Sequence, residues 1–325
     1  MAELCYLGRG FDSSMKMPIA RHENRRCPQR RTIFLAGSLA ACVLVAVAPV
    51  RPREPMCHGR LVSAWVEELG DNSYDAMCAL RETGPDAIPS LIRALKKPPA
   101  GWLPALTFAR DHAPWFAKPK LSALCSSATW RASRVPRIRA AAAQVLGDFG
   151  PDARSATPAL LNALSDTSPT VRLNAAFALG KIGANPRVAV PALAALLRDA
   201  NEEVRVYAAI ALKKFGTQAT AAVPGLIAAL QDPIWQVRER AALALGAVEA
   251  SRADVVSALE KALRDEHRFV RSSAATALAS LAPRTRSARA ALEQARYDPD
   301  SEVRYSAGLA VTRIDSDVGA QTVMK

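Results

Sequence analysis

A Val-Arg pair recurs at Val171-Arg172, Val204-Arg205, Val237-Arg238, Val270-Arg271 and Val303-Arg304, each 33 residues after the last, and Ile138-Arg139 stands one period upstream. Self-similarity at such a period is the mark of one supersecondary unit stacked along an array, each copy burying its apolar face against its neighbours. Length alone would divide 325 residues into two domains. The period overrides that count.

The unit Val190 to Gly216, "VPALAALLRDANEEVRVYAAIALKKFG", shows what is repeated. Leu193, Leu196 and Leu197 share a helical stripe, and Pro191 suits a first turn, which predicts a helix A. Asp199 to Glu202 interrupts it. Val204, Ala208, Leu212 and Phe215 then mark the buried stripe of a helix B, with Gly216 as its cap. Superposition at 33 residues aligns Pro158, Pro191 and Pro224, and also Leu160, Leu193, Leu226, Leu259 and Leu292. Paired alanines at 175–176, 208–209, 241–242 and 274–275 align too, and side chains that small let neighbouring B helices approach closely. With aromatics at only 6%, close-packed helices are favoured over a sandwich or a doubly wound sheet. The expected fold is all-α, an α-solenoid of about seven antiparallel helical hairpins.

The rhythm sets the boundaries. Regular repeats occupy 137–316, followed by a tail at 317–325. Residues 60–96 read as degenerate hairpins, with Trp65 and Leu69 in a helix A, Ala76 and Leu80 in a helix B, and a second helix A through Leu91 and Leu95. The matching helix B is expected only at Ile138 to Gly150. Between them, 97–136 is a Pro/Trp-rich insertion whose repeated prolines argue against one regular helix across it.

Residues 1–32 form a basic tail, and 33–50 form a charge-free apolar segment. Eighteen residues at about 1.5 Å each span about 27 Å, close to the roughly 30 Å of a bilayer core. The segment is expected to be an N-terminal transmembrane or signal-anchor helix. Seven Lys/Arg precede it, so the positive-inside rule leaves its N-terminal flank in the cytoplasm and exports everything after Val50. Cleavage after Ala46-Val47-Ala48 would make a secreted protein, and lipidation at Cys42 a lipoprotein; the uninterrupted run fits a retained anchor best. Cysteines after the run are Cys57, Cys78 and Cys125, and none lies between Ala153 and Asp315, so the regular repeats do not depend on disulfides.

The net charge of +13 raises a nucleic-acid reading. Residues 141–325, however, carry 22 Lys/Arg against 19 Asp/Glu. An array gripping phosphates along its length would be basic in every repeat, so nucleic acid is not the expected partner.

Asp166, Asp199, Asp232, Asp265 and Asp298 stand six residues before Arg172, Arg205, Arg238, Arg271 and Arg304. The Val of each pair plugs the hairpin core. The Arg stem lies along the repeat junction, its guanidinium reaching a loop Asp of its own or the next repeat. These ten residues are read as a structural ladder. The D-x5-R spacing, the "VR…AA.AL..(I/F)G" second helix and the hairpin of roughly 30 residues resemble HEAT-like repeats of the phycobilisome-lyase (PBS lyase) type, from about Ala153 to Asp315. That resemblance implies stacked hairpins used as scaffolds, binding modules or, in a few members, bilin lyases.

Chemistry is sparse. His22, His58, His112 and His267 stand alone, without the His-Glu pairs that HEAT-type dimetal hydroxylases require, and adjacent residues such as Cys57-His58 rarely serve one metal. There is no Gly-rich phosphate loop and no nucleophile elbow. No catalytic, cofactor-binding or metal residue is expected, and an enzyme is not the favoured class. The candidates for partner binding fall in two places. Trp102, Trp115, Phe116 and Trp130 cluster with basic residues in the insertion, where they either cap the open end of the stack or bind a partner. Asn174, Tyr207 and Arg240 share a variable column of the B-helix face, with Lys181 and Lys214 along it and Trp235 in an inter-helix loop. The expected function is a non-enzymatic scaffold that binds another protein, anchored to the membrane through 33–50 and exposed in the periplasm or outside the cell. The alternative is a bilin-lyase-like enzyme or chaperone acting on a tetrapyrrole-binding protein.

Overall fold

The structure, a computed structural model, describes residues 54–97, 103–248, 253–281 and 288–323. The segment 33–50 therefore lies outside the described residues, and no described helix is long and apolar enough to cross a membrane. A short hairpin, β1 (Met56–Cys57) and β2 (Arg60–Leu61), opens the described chain. Seven helical hairpins follow among the described residues. They are α1 (Val62–Glu68) with α2 (Tyr74–Thr83), α3 (Ile88–Leu95) with α5 (Lys118–Asp148), α6 (Thr157–Ala163) with α7 (Pro169–Ile182), and α8 (Pro186–Leu196) with α9 (Glu202–Phe215). Then come α10 (Val223–Ala229) with α11 (Trp235–Val248), α12 (Ala253–Ala262) with α13 (Arg268–Ser280), and α14 (Arg289–Ala295) with α15 (Ser301–Val323). An extra helix, α4 (Leu103–His112), is inserted between α3 and α5.

The core is continuous because every repeat contributes the same columns. Leu160, Leu193, Leu226, Leu259 and Leu292 of the A helices are fully buried, as are Val171, Val204, Val237, Val270 and Val303 of the B helices. Each such side chain contributes roughly 1.5–3 kcal/mol by leaving water. B helices also pack on the next B helix, α5 on α7, α7 on α9, and so on to α13 on α15. At three of these junctions a glycine faces the neighbouring backbone. A Cβ placed on Gly147, Gly180 or Gly246 would lie 3.0, 3.0 or 2.7 Å from the Cα of Ala178, Ala211 or Ala277. Glycine is also required at Gly150, Gly183 and Gly216, one period apart, where φ is +57°, +63° and +54° and the chain turns out of a B helix.

The insertion corrects one expectation. α5 runs unbroken for 31 residues, through Pro119 and Pro136, where a break was expected before Ile138. Pro119 lies in the first turn, where amides have no intrahelical partner, so it removes nothing. Pro136 does remove one helical hydrogen bond and crowds the preceding turn, which ordinarily costs ~3 kcal/mol. Packing holds the helix across it: Ile138, Ala142, Val145 and Leu146 are buried in the stack. On the N-terminal side, Arg134 donates to the Glu67 carbonyl at 2.8 Å and to Asp71 at 2.5 Å. Farther along, Asp148 ties three helices together, accepting from Arg81 of α2 at 2.6 Å and from Lys181 of α7 at 2.8 Å.

Candidate functional site

The ladder residues converge on the loops between A and B helices. Arg172 donates through Nε and Nη2 to both carboxylate oxygens of Asp199, at 2.8 and 2.7 Å. Arg205 does the same to Asp232, Arg238 to Asp265 and Arg271 to Asp298. Each carboxylate thus lies 27 residues downstream, in the following repeat, while the remaining nitrogen takes a carbonyl of the same repeat, as Arg172 Nη1 does with Asp166 at 2.8 Å. Within its own loop each Asp also accepts a backbone amide two residues on, Asn201 for Asp199 and Ile234 for Asp232, both at 2.9 Å. One carboxylate therefore shapes its own turn and fastens the preceding repeat. Burial raises the Asp199 carboxyl, but the Arg172 guanidinium and the Asn201 amide outweigh it and hold the group below the usual carboxylate range. Asp298 is held low in the same way by Arg271 and the Asp300 amide, against burial. Arg139, with Asp166 at 2.7 Å, is a rung that the residue pattern left out of the ladder. Its signal was Ile138-Arg139, in phase with the Val-Arg pairs. Among the described residues, Arg304 meets only the carbonyls of Asp298 and Pro299, at 2.8 Å each.

In the insertion, Trp102 lies outside the described residues. Trp115 and Phe116, in the link between α4 and α5, meet edge to face with centroids 6.1 Å apart and remain 83% and 67% exposed. Neither ring covers the stack. Trp130, on α5, is 56% exposed and lies under the Arg134 guanidinium at 4.5 Å. Cys125 is buried where α5 meets α4, its thiol donating to the Leu106 carbonyl at 3.7 Å.

The B-helix candidates form contacts of their own. Tyr207 is half-buried, edge-on to Phe177 at 5.7 Å. Lys181, already paired with Asp148, sits 5.3 Å from the centroid of the same Phe177 ring. Lys214 is exposed and Asn174 half-buried, and Arg240 approaches Glu239 at 3.5 Å. Trp235 is the first residue of α11, not a loop residue, and stacks on His267 at 3.9 Å with Phe269 beside it at 5.5 Å. Beside Tyr207 a groove of about 430 Å³ crosses the starts of α7, α9 and α11, with Leu173, Val206 and Ile234 along it and Glu202 and Glu203 at its rim. No residue pattern pointed to this groove, because its lining comes from three repeats.

The reading of isolated histidines is also corrected. His58 Nε2 lies 2.7 Å from Glu82 Oε2. Cys57, His58 and Glu82 bring one ligand atom each to within 4.8 Å of one another.

The family model for HEAT repeats matches residues 129–213, 190–253 and 223–312. No curated protein matches the chain. Among solved structures, a designed armadillo repeat protein in complex with the peptide (KR)4 is 19% identical, with a TM-score of 0.50 over 70% of this chain and 99% of that one. An engineered protein is 20% identical, with a TM-score of 0.44 over 79% and 97%. Human deoxyhypusine hydroxylase is 22% identical, with a TM-score of 0.34 over 78% and 96%. Identities this low speak to fold alone. With seven stacked helical hairpins and a family match over more than half of its residues, the chain belongs to the HEAT-repeat family.

Proposed function

We propose that this chain is a non-enzymatic scaffold that binds another protein through the aromatic surface of its insertion, while the repeats hold that surface rigid. The observation that carries the reading is the exposure of Trp115 and Phe116, 83% and 67%. Binding energy concentrates on aromatic and Arg side chains, and a loop on a rigid frame is a usual place for recognition. The armadillo relative of known structure holds a peptide, which supports a protein partner for a stack of this kind. The groove beside Tyr207 is the second place such a partner would seat.

We further propose that 33–50 anchors the chain in a membrane and that the repeats face the periplasm or the outside of the cell. The charge-free run and its basic flank support this. The finer resemblance to the phycobilisome-lyase type rests on the D-x5-R spacing, which specifies a fold; we assign no lyase chemistry to this chain on it.

The test is affinity capture by the full chain and by a Trp115→Ala/Phe116→Ala variant. Loss of the captured protein with an unchanged melting curve supports the reading. Undiminished capture by the double variant overturns the insertion as the site and moves the search to Tyr207 and Glu203.

A further inference from the structure

We propose that Cys57, His58 and Glu82 form a site for one divalent transition-metal ion of the zinc class, separate from the partner surfaces. The site begins with a turn. β1 and β2 pair in register Cys57 with Arg60, and the two residues between them, His58 and Gly59, have φ of +49° and +71°. Both central residues of a tight primed hairpin turn need positive φ, which suits Asn-Gly or Gly-Gly. Here a histidine occupies the first of them. Histidine is among the few non-glycine residues enriched at positive φ, so it can take this place.

Its consequence is geometric. Consecutive residues of a strand ordinarily point to opposite faces. The left-handed turn swings the His58 ring back towards α2, to which Cys57 already points. The Cys57 thiol donates to the Ala79 carbonyl at 3.3 Å, and His58 meets Glu82 one turn farther along α2 at 2.7 Å. The turn is held in place from behind, because the Trp65 indole donates to the Cys57 carbonyl at 3.0 Å. An exposed His-Glu pair alone needs no thiol beside it.

The distances suit a small ion. Tetrahedral zinc, with Zn–N and Zn–O near 2.0–2.2 Å and Zn–S near 2.3 Å, spaces its ligand atoms about 3.3–3.6 Å apart. The imidazole and carboxylate must part by about 0.6 Å and the sulfur must close in from at most 4.8 Å. His58 and Glu82 side chains are each 62% exposed, so rotation supplies both adjustments. On binding, the metal takes the place between His58 Nε2 and Glu82, a proton carried on Nε2 passes through solvent to Nδ1 and leaves the imidazole neutral, and the Cys57 thiol gives its proton to solvent. Thiolate and carboxylate then balance the two positive charges, imidazole is neutral, and water completes the fourth position. Sulfur with nitrogen selects zinc, cobalt or copper over magnesium and calcium.

The experiment uses the full chain, reduced and freed of chelator, titrated with Co²⁺ alone and then with Zn²⁺ as competitor. One equivalent of Co²⁺ should produce a sulfur-to-cobalt charge-transfer band with tetrahedral visible bands, both abolished by Zn²⁺. Cys57→Ser should abolish the charge-transfer band. His58→Ala and Glu82→Gln should each weaken binding about tenfold or more, the range by which loss of a metal partner is ordinarily felt. Cys78→Ser should leave the spectrum intact. Circular dichroism checks each fold, and Glu82→Gln, a solvent-exposed change, decides the question if Cys57→Ser disturbs the hairpin. Absence of saturable Co²⁺ binding, a charge-transfer band that survives in a folded Cys57→Ser, or undiminished Co²⁺ affinity in Glu82→Gln overturns the site.

Discussion

Arg205→Ala removes one rung of the ladder and leaves the rest in place. Two charge-assisted bonds to Asp232 disappear, at 2.7 and 3.1 Å, together with the 2.8 Å bond to the Asp199 carbonyl. The side chains of Arg205 and Asp232 are only 13% and 10% exposed, so water compensates poorly. A hydrogen bond to a charged group is worth ~1.5–3 kcal/mol, and stranding one partner of a fully buried ion pair costs ~3–5 kcal/mol. Asp232 keeps the Ile234 amide at 2.9 Å and is therefore not stranded entirely. The loss should be about 2–3 kcal/mol, in the upper part of the first range and short of the second. It falls on the junction between two hairpins rather than inside either, so in a one-dimensional array it should weaken coupling and broaden the transition as well as lower its midpoint. Arg198→Ala is the control, an exposed position expected to cost less than about 0.5 kcal/mol. Urea unfolding of the full chain, followed by far-ultraviolet circular dichroism, reads both. Equal midpoints and equal widths for the two variants would refute the ladder as a stabilising device.

Other expectations follow from the same packing. Gly246→Ala, with its Cβ 2.7 Å from the Ala277 backbone, should force α11 and α13 apart and cost about 1–3 kcal/mol. Gly308→Ala, where nothing lies within 4 Å, should stabilise α15 by about 0.5–1 kcal/mol; thermal melts that move both variants the same way contradict the close-approach account. The depressed carboxyls of Asp199 and Asp298 contribute stability that is present above the unfolded carboxylate pKa of about 3.9 and lost as pH falls through the lower folded values. Melting temperatures should therefore drop below about pH 4, less steeply in Asp199→Asn than in the parent chain. For the membrane proposal, a reporter fused after Lys325 should be active only in the exported compartment, and cytoplasmic activity would sink it.

The repeat architecture was legible because it is written in local pattern. Each hairpin places its own Leu and Val columns at helical spacing, and a stack needs only that neighbouring units do the same. The period therefore led directly to an all-α array, to buried residues such as Leu193 and Val204, and to an Asp/Arg ladder as a structural element. What remained out of reach were relations that depend on how one unit lies against another. Arg172 pairs with the carboxylate 27 residues ahead and the carbonyl 6 residues behind, a choice made by the packing of successive loops. Pro136 suggested an end to a helix by its own chemistry, yet burial of Ile138, Val145 and Leu146 holds α5 through it. Trp115 and Phe116 read equally as a cap or a docking surface, since an aromatic side chain suits either place, and only the fold shows that neither ring is packed against the stack. Cys57 and His58 read as a poor pair for one metal because they are adjacent in sequence. A left-handed φ at His58, which residue type alone does not announce, brings its ring to Glu82, 24 residues away on α2, while the Cys57 thiol reaches the Ala79 carbonyl on the same helix. Periodic burial is a one-dimensional property of this chain, whereas the meeting of side chains from different loops is set by backbone geometry in three dimensions.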